Sequence, residues 1–434
     1  MNKKPTTPLL KNIAACFDWL DEDDLIPKEP LIEAPPSPVF TLDGRKIVSF
    51  SSNNYLGMSR RPEVINAARN ALSKFTMGTC ESRKLGGNIA LLEALEARIA
   101  SFKGEEAAMI FATGLLANVA TIPGLIDAEW YCNKFYGKDW SKEPGTIFSD
   151  SLNHRSIQMG IKLSHANVVK YHHADMDHLE QELASCKSNN KLIVSDGVFS
   201  MDGDLAPLPE LTTLANRYQA TVMIDDAHGT GVFGENGRGV AEHFGVEKDI
   251  SIHMGTLSKA VGAMGGFVAT DRKVIDFLKS TASGYRFTSS LPAEQAAGII
   301  CAIDIMENEP QLRDKLWQNV TFLLNGLNDL DIPFNYQWSP IIPLHLGSAH
   351  KAYRAEKLLL DRAISCIAVV PPLVANNCSR LRITVNSTHT QEQIEQLLAG
   401  LIVAEREIGF SQPGNSQQTW EEFSKRSPSY ITKT

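Results

Sequence analysis

From about residue 60 to residue 290, short apolar runs alternate with helical patterns, and that alternation limits the fold more than any other feature. Ala107-Ala108-Met109-Ile110-Phe111, Thr146 to Phe148, Leu192-Ile193-Val194-Ser195, Thr221-Val222-Met223-Ile224 and Ile250 to Met254 read as buried strands. Helical segments lie between them. In the segment Leu91 to Phe102, the residues Leu92, Leu95, Ile99 and Phe102 fall on one face. Such alternation predicts an α/β layer with a mainly parallel sheet. A long helical stretch near 293–330 follows, and then the pattern changes. Ile341 to Leu346, Ile367 to Val370 and Arg380 to Val385 are strand candidates, with helical patterns near 350–363 and 390–407. They predict a smaller α+β unit. Ahead of the alternation, Leu9, Ile13, Phe17 and Leu20 mark an amphipathic start. An acidic run, Asp21-Glu22-Asp23-Asp24, and a proline-rich link ending Pro35-Pro36-Ser37-Pro38 come next. Phe40 to Val48 reads as a hairpin turning at Asp43-Gly44. The expected division is an N-terminal segment 1–58, a large domain 59–295, a small C-terminal domain 296–410 and a loosely ordered tail 411–434.

Composition narrows the function classes. A net charge of −8 and the lack of a long basic run argue against a nucleic-acid binder. No stretch approaches the roughly 20 apolar residues of a membrane span, and Met1 to Thr6 is not followed by the apolar core of a secretory signal. Seven scattered cysteines suit a reducing cytoplasm, without a disulfide framework or a zinc pattern.

The chemistry concentrates at predicted strand ends. Asp225-Asp226-Ala227-His228 and Thr256-Leu257-Ser258-Lys259-Ala260 each follow an apolar run. A lysine so placed can form an imine with an aldehyde, and an aspartate can hold a pyridine nitrogen protonated. Those are the two roles a pyridoxal 5′-phosphate (PLP) enzyme asks of its protein. Read singly, Lys259 would be a solvated lysine and Asp225 a helix cap. Ala112-Thr113-Gly114-Leu115-Leu116-Ala117-Asn118 follows a strand and opens a helix, a place where backbone N–H groups can meet a phosphate. It also reads as a plain strand-to-helix turn. Ser151-Leu152-Asn153-His154 sets an imidazole after another strand. Asp196-Gly197-Val198-Phe199-Ser200-Met201-Asp202-Gly203-Asp204 reads as a turn lacking the final acid of a calcium loop.

In this order and spacing, and with Ser52-Asn53-Asn54-Tyr55-Leu56-Gly57, these segments resemble the α-oxoamine synthase family over residues 40 to 410. The family comprises acyl-CoA:amino-acid C-acyltransferases of PLP fold type I, the aspartate-aminotransferase-like fold. The resemblance implies PLP as cofactor and makes 59–295 the PLP-binding domain. It matches Lys259 to the Schiff-base lysine, Asp225 to the pyridinium partner and His228 to the residue bonding the phenolic oxygen. His154 matches the imidazole stacked on the ring, and Ser200 a polar contact near that oxygen. Gly114, Leu115 and Thr256 match phosphate positions. Thr288 and Ser289 match residues reaching the phosphate of a neighbouring subunit, which implies a homodimer with shared sites. Asn53 and Arg382 match groups that hold the amino-acid carboxylate.

The implied reaction is a decarboxylative Claisen-type condensation of an amino acid with an acyl-CoA, or an acyl-carrier thioester, giving an α-aminoketone, the free thiol and CO2. Lys259 is the expected base at the α-carbon, and either His154 or His228 could assist the β-keto oxygen. The alternatives are another fold-type-I reaction, an aminotransferase or a decarboxylase, and a non-catalytic partner subunit of a synthase heterodimer. Three departures bear on substrate choice: Thr79-Cys80-Glu81-Ser82-Arg83 replaces a glycine- and serine-rich run, Leu92 stands where many relatives have histidine, and Pro371 to Cys378 alters the link before the Arg-Leu-Arg strand. Residues 129–144, dense in Trp, Tyr and Phe, read as an inserted loop that packs against the N-terminal segment or a partner, or walls an acyl groove. Gly229 to Gly234 satisfies G-x-G-x-x-G but runs into a loop rather than a helix, so no dinucleotide site is expected. His172, His173, Asp175, Asp177 and His178 are read as a solvated loop and helix start, with no metal expected.

Overall fold

Strands that are buried along their whole length need cover on both faces, and the central sheet has it. The computed structural model describes residues 7–22, 31–32, 38–75, 77–140, 143–335 and 337–411. Its strands are β1 (Val39–Leu42), β2 (Arg45–Ser49), β3 (Ala107–Phe111), β4 (Thr146–Asp150), β5 (Asn167–Tyr171), β6 (Lys191–Asp196), β7 (Thr221–Asp225), β8 (Ile252–Thr256), β9 (Gly266–Thr270), β10 (Ile341–Gly347), β11 (Ile364–Ser365), β12 (Ile367–Val369) and β13 (Ser379–Thr384). Seven of them form one sheet in the order β3-β9-β8-β7-β6-β4-β5. Strand β9 alone runs against its neighbours. In β3, β4, β8 and β9 every residue is buried, as expected of a sheet with helices on both faces. The alternation within β3 shows how. Ala107, Met109 and Phe111 pack with helices Gly114–Ile126, Arg155–Lys162 and Arg272–Thr281, whereas Ala108 and Ile110 join the core that includes Leu92, Leu95 and Ile99.

Parallel pairing brings strand ends to one edge. Asp196 of β6 lies opposite Asp225 of β7, which lies opposite Met254 of β8. The carboxyl ends of parallel strands are where α/β sheets present ligand crevices. The smaller sheets are β10-β13-β12, antiparallel throughout, and β1-β2-β11. The hairpin of β1 and β2 turns at Asp43 and Gly44, with φ of 50° and 73°, the left-handed pair that a tight hairpin turn requires. The hairpin is tied to the C-terminal part of the chain, because β2 pairs in parallel with β11.

Several expectations change. Residues 128–136 are not a loop but a helix, Ala128–Tyr136. It has no fully buried residue. The stretch near 293–330 is two helices, Ala293–Asn308 and Gln311–Asp329, parted at Pro310, which cannot supply the N–H that a continuous helix needs. Strands β5 and β9 had no counterpart in the sequence reading. Helix Pro8–Glu22 is present, with Leu9, Ile13 and Phe17 exposed. Asp23-Asp24, Pro35-Pro36-Ser37, residues 141–142 and the tail from 412 lie outside the described residues. Among the described residues no helix is long and apolar enough to cross a membrane.

Candidate active site

The ends of five strands, β3, β4, β6, β7 and β8, converge on one cavity of about 210 Å3. Eight of the residues expected at the site line it: Gly114, Leu115, His154, Ser200, Asp225, His228, Thr256 and Lys259. Asp225 ends β7, where Oδ2 accepts from Asn118 Nδ2 at 2.7 Å and Oδ1 from Ala227 N at 3.1 Å. Asp196, at the end of β6, also faces the cavity, and its Oδ2 accepts from His154 N at 2.7 Å. A crevice of about 840 Å3 lies at the opposite edge, beside Lys191, Thr221 and Ile252 at the strands' amino ends, away from these groups.

Thr113 caps helix Gly114–Ile126, its Oγ1 accepting from Leu116 N at 3.1 Å. The helix N-terminus therefore opens on the cavity with spare backbone donors, a setting for an anion. A Cβ on Gly114 would sit 3.0 Å from Thr256 Oγ1, so the bare glycine lets these two walls approach.

The cavity's charges are tuned by burial. Lys259 Nζ has no hydrogen bond or ion pair among the described residues. Desolvation brings its pKa down to about 8, although Asp225 and Asp196 oppose the fall. Burial, and then Asp225, push Asp196 well above the usual carboxylate range. Burial drives His228 well below the ordinary imidazole value, with Lys259 and Arg382 adding to the fall. His154 is more exposed, yet desolvation of its ring, with a further contribution from Lys259, lowers it as well.

Arg382, on β13 of the small sheet, does not line this cavity, and neither does Asn53, but Arg382 reaches the cavity's Ser200 loop. Nε donates to the Ser200 carbonyl at 2.6 Å, Nη1 to Thr384 Oγ1 at 2.8 Å and Nη2 to Asn53 Oδ1 at 3.2 Å. Ser200 thus serves twice, as cavity lining and through its carbonyl. Its loop can meet β10 because Gly203 has φ of 75° and a Cβ there would run into the Ile341 carbonyl. Thr288 and Ser289 are not brought to this cavity. Ser289 is exposed and bridges Ser82.

Three partners escaped the sequence reading: Asn118 beneath Asp225, Ser156 beside His154, and Tyr55, whose hydroxyl lies 2.7 Å from His228 Nδ1. Asn118 and Tyr55 stand inside motifs that the sequence singled out, but spacing alone does not show what a side chain will touch. His173 is a correction. It is not solvated but lies between Asp150 Oδ1 at 3.0 Å and Asp204 Oδ2 at 2.7 Å. Burial opposes protonation there, yet the two carboxylates outweigh it and raise the pKa to about 10. His172 is exposed as expected, and Asp175 caps helix Met176–Ser185.

Residues 45–401 match the family described as aminotransferase class I and II. The 8-amino-7-oxononanoate synthase of Lysinibacillus sphaericus is 39% identical over 391 residues, 90% of this chain and 97% of that protein. The 8-amino-7-oxononanoate synthase 1 of Bacillus subtilis is 36% identical over 368 residues, 85% of this chain and 90% of that protein. Among solved structures, the serine palmitoyltransferase of Sphingomonas wittichii superimposes with a TM-score of 0.83 at 31% identity, covering 94% of this chain and 99% of that one. A structure described as SPT with PLP internal aldimine gives 0.85 at 29% identity, covering 93% and 100%. The chain belongs to the α-oxoamine synthase family.

The departures of this α-oxoamine synthase fall outside the cavity lining. Leu92 is fully buried in the core. Arg83, at the end of the altered Thr79 to Arg83 run, is buried against Glu96 at 3.1 Å. The aromatic helix packs on its own chain: Trp130 stacks on His165 with centroids 3.9 Å apart, and Tyr131 Oη accepts from Arg286 Nη1 at 3.3 Å. Helix Gly114–Ile126 separates it from the cavity by 13 residues, about 20 Å at 1.5 Å per residue. Phe135, Tyr136 and Trp140 are left exposed.

Proposed function

We propose that the protein is a PLP-dependent α-oxoamine synthase that condenses an amino acid with an acyl thioester and releases CO2 and the free thiol. One observation carries the reading: an unpartnered lysine amine facing two buried carboxylates in a cavity whose other wall is a helix N-terminus. These residues fit PLP. Lys259 supplies an amine for its aldehyde, Asp225 an acceptor for a protonated ring nitrogen, and the Gly114 turn backbone donors for its phosphate. When bound, PLP supplies an electron-withdrawing ring that stabilises negative charge at the α-carbon of an attached amino acid.

The protein's own residues do the rest. At neutral pH a lysine with a pKa of about 8 is partly deprotonated, so its Nζ can accept a proton from the α-carbon and return it. Arg382 has five N–H donors and spends three on Ser200, Thr384 and Asn53. A further contact reaches the Tyr55 hydroxyl, and the guanidinium so held is the group that pairs with a substrate carboxylate. His154 offers an open ring face at the cavity. Thr288 and Ser289 are assigned to the phosphate of a second subunit, making the working unit a homodimer. The seven unpaired cysteines suit the reducing cytoplasm.

The test is a matrix of acyl-CoA lengths against glycine, alanine, serine and 2-aminobutyrate, scored by thiol release. A synthase releases thiol only when both substrates are present. An aminotransferase or a simple decarboxylase releases none, and that result would remove the reading. Borohydride reduction of the yellow protein should place the label on Lys259.

A further inference from the structure

Two imidazoles line the cavity, and in both Nδ1 lies 2.7 Å from a hydroxyl of the protein. For His154, Nδ1 lies 3.3 Å from Ser156 N and 2.7 Å from Ser156 Oγ. The backbone N–H can only donate. Ser156 Oγ accepts from Asn118 Nδ2 at 2.9 Å, which leaves the hydroxyl hydrogen free to point at Nδ1. For His228, Nδ1 lies 2.7 Å from Tyr55 Oη, and Tyr55 is fully buried. That hydroxyl also meets Arg382, whose N–H groups can only donate to it, and lies 3.4 Å from Asn53 Oδ1, an atom already receiving Arg382 Nη2. A phenol has one hydrogen, and it belongs to the shorter bond.

We infer that Tyr55 and Ser156 are positioning residues that hold His228 and His154 in the same neutral form, with the hydrogen on Nε2 and the Nδ1 lone pair engaged by the protein. A neutral imidazole carries one N–H, so an accepting Nδ1 sends the hydrogen to Nε2. Lys259 lies close enough to both rings to oppose a second proton, and Arg382 acts likewise on His228. Burial keeps the Tyr55 phenol protonated, pushing it up to about 12.

The chemical consequence is one of direction. Both rings offer the cavity a donor and neither offers an acceptor, so they can hold developing negative charge on oxygen but cannot take a proton from the substrate. Proton removal then falls to Lys259 rather than to either histidine. A chain also runs from Arg382 through Asn53 and Tyr55 to His228, linking the proposed carboxylate grip to the ring that faces the cofactor. This inference rests on the proposed function only for the identity of what the donors meet; the tautomers themselves belong to the protein.

The experiment is 15N NMR of the full-length, PLP-loaded protein labelled at histidine, with the two signals assigned by His154→Asn and His228→Asn. The wild type should show, for each ring, one protonated nitrogen at Nε2 and one bare nitrogen at Nδ1. Tyr55→Phe should average the two nitrogens of His228 and leave His154 unchanged. Ser156→Ala should move His154 and spare His228. Tyr55→Phe should also lower kcat on the order of tenfold, as loss of one hydrogen bond does, with little change in the amino-acid KM. Protonation at Nδ1, or an imidazolium, in the wild type would overturn the inference without any variant. So would a His228 pattern that Tyr55→Phe fails to move. Failure of the synthase reading would appear separately, as a colourless protein or as borohydride label on another lysine.

Discussion

A lysine in water keeps its proton to a pKa of about 10.4; Lys259 loses its own near 8 because the cavity desolvates it. His173 illustrates the opposite case. Two carboxylates raise it to about 10, against roughly 6.5 for an unfolded histidine. Its contribution to stability is therefore fully present below pH of about 6.5 and is lost as pH climbs toward 10. We expect His173→Gln to lower stability on the order of 1–3 kcal/mol at pH 6, between the values of an exposed and a buried ion pair. The loss should shrink steadily toward pH 10. Thermal melts of both proteins across this range check it, and a pH-independent difference would mean that His173 acts through shape alone. The side effect is chemical: Asp204 anchors the loop that carries Ser200, so the amino-acid KM should rise as well.

At the level of elements, burial of charge does more to fix geometry than capping. Helix Ala90–Lys103 starts at Ile89 without a side-chain cap, yet it is tied down by buried Glu96. That carboxylate accepts from Arg83 at 3.1 Å, from Lys279 at 2.5 Å and from Ile110 N at 3.2 Å, so one residue joins the helix to β3, to helix Arg272–Thr281 and to the segment that bridges Ser289. Glu96→Ala would strand a buried guanidinium, which costs roughly 3–5 kcal/mol. Chemical denaturation should show that loss. A change under about 1 kcal/mol would mean that the second carboxylate near Arg83, Glu93 at 3.1 Å, replaces it, as a surface pair would. The aromatic helix Ala128–Tyr136, where the sequence predicts a loop, has no fully buried residue. Two of its partners, His165 and Arg286, lie far along the chain.

For the whole molecule, the site joins the large sheet to the small one: Asp225 ends β7 and Lys259 follows β8 of the first, and Arg382 comes from β13 of the second. One proposed part is still outside it, since Thr288 and Ser289 do not line their own chain's cavity. A second copy would supply them. Mixing a Lys259→Ala chain with a Thr288→Ala/Ser289→Ala chain should regenerate some intact sites in the heterodimer and restore part of the thiol-releasing activity. No recovery on mixing, or full activity in a sedimenting monomer, would refute shared sites.

The sequence by itself determined the alternation that makes the parallel sheet, the small C-terminal unit, and which strand ends carry chemistry. Apolar period and strand-end residues are local properties of the chain, and β3 appeared with the bounds expected from them. Lys259 and Asp225 were legible from their place after apolar runs, whereas Arg382 and Asn53 were legible only through resemblance to a family motif. What the tertiary structure decided is who touches whom. Asn118 reaches Asp225 across 107 positions, and Arg382 meets the Ser200 carbonyl across 182. His173 finds two acids, and Tyr55 and Ser156 take up the Nδ1 lone pairs of the cavity histidines. A repeating pattern reports that a face is buried, not what is buried against it, and the protonation of a group depends on those neighbours.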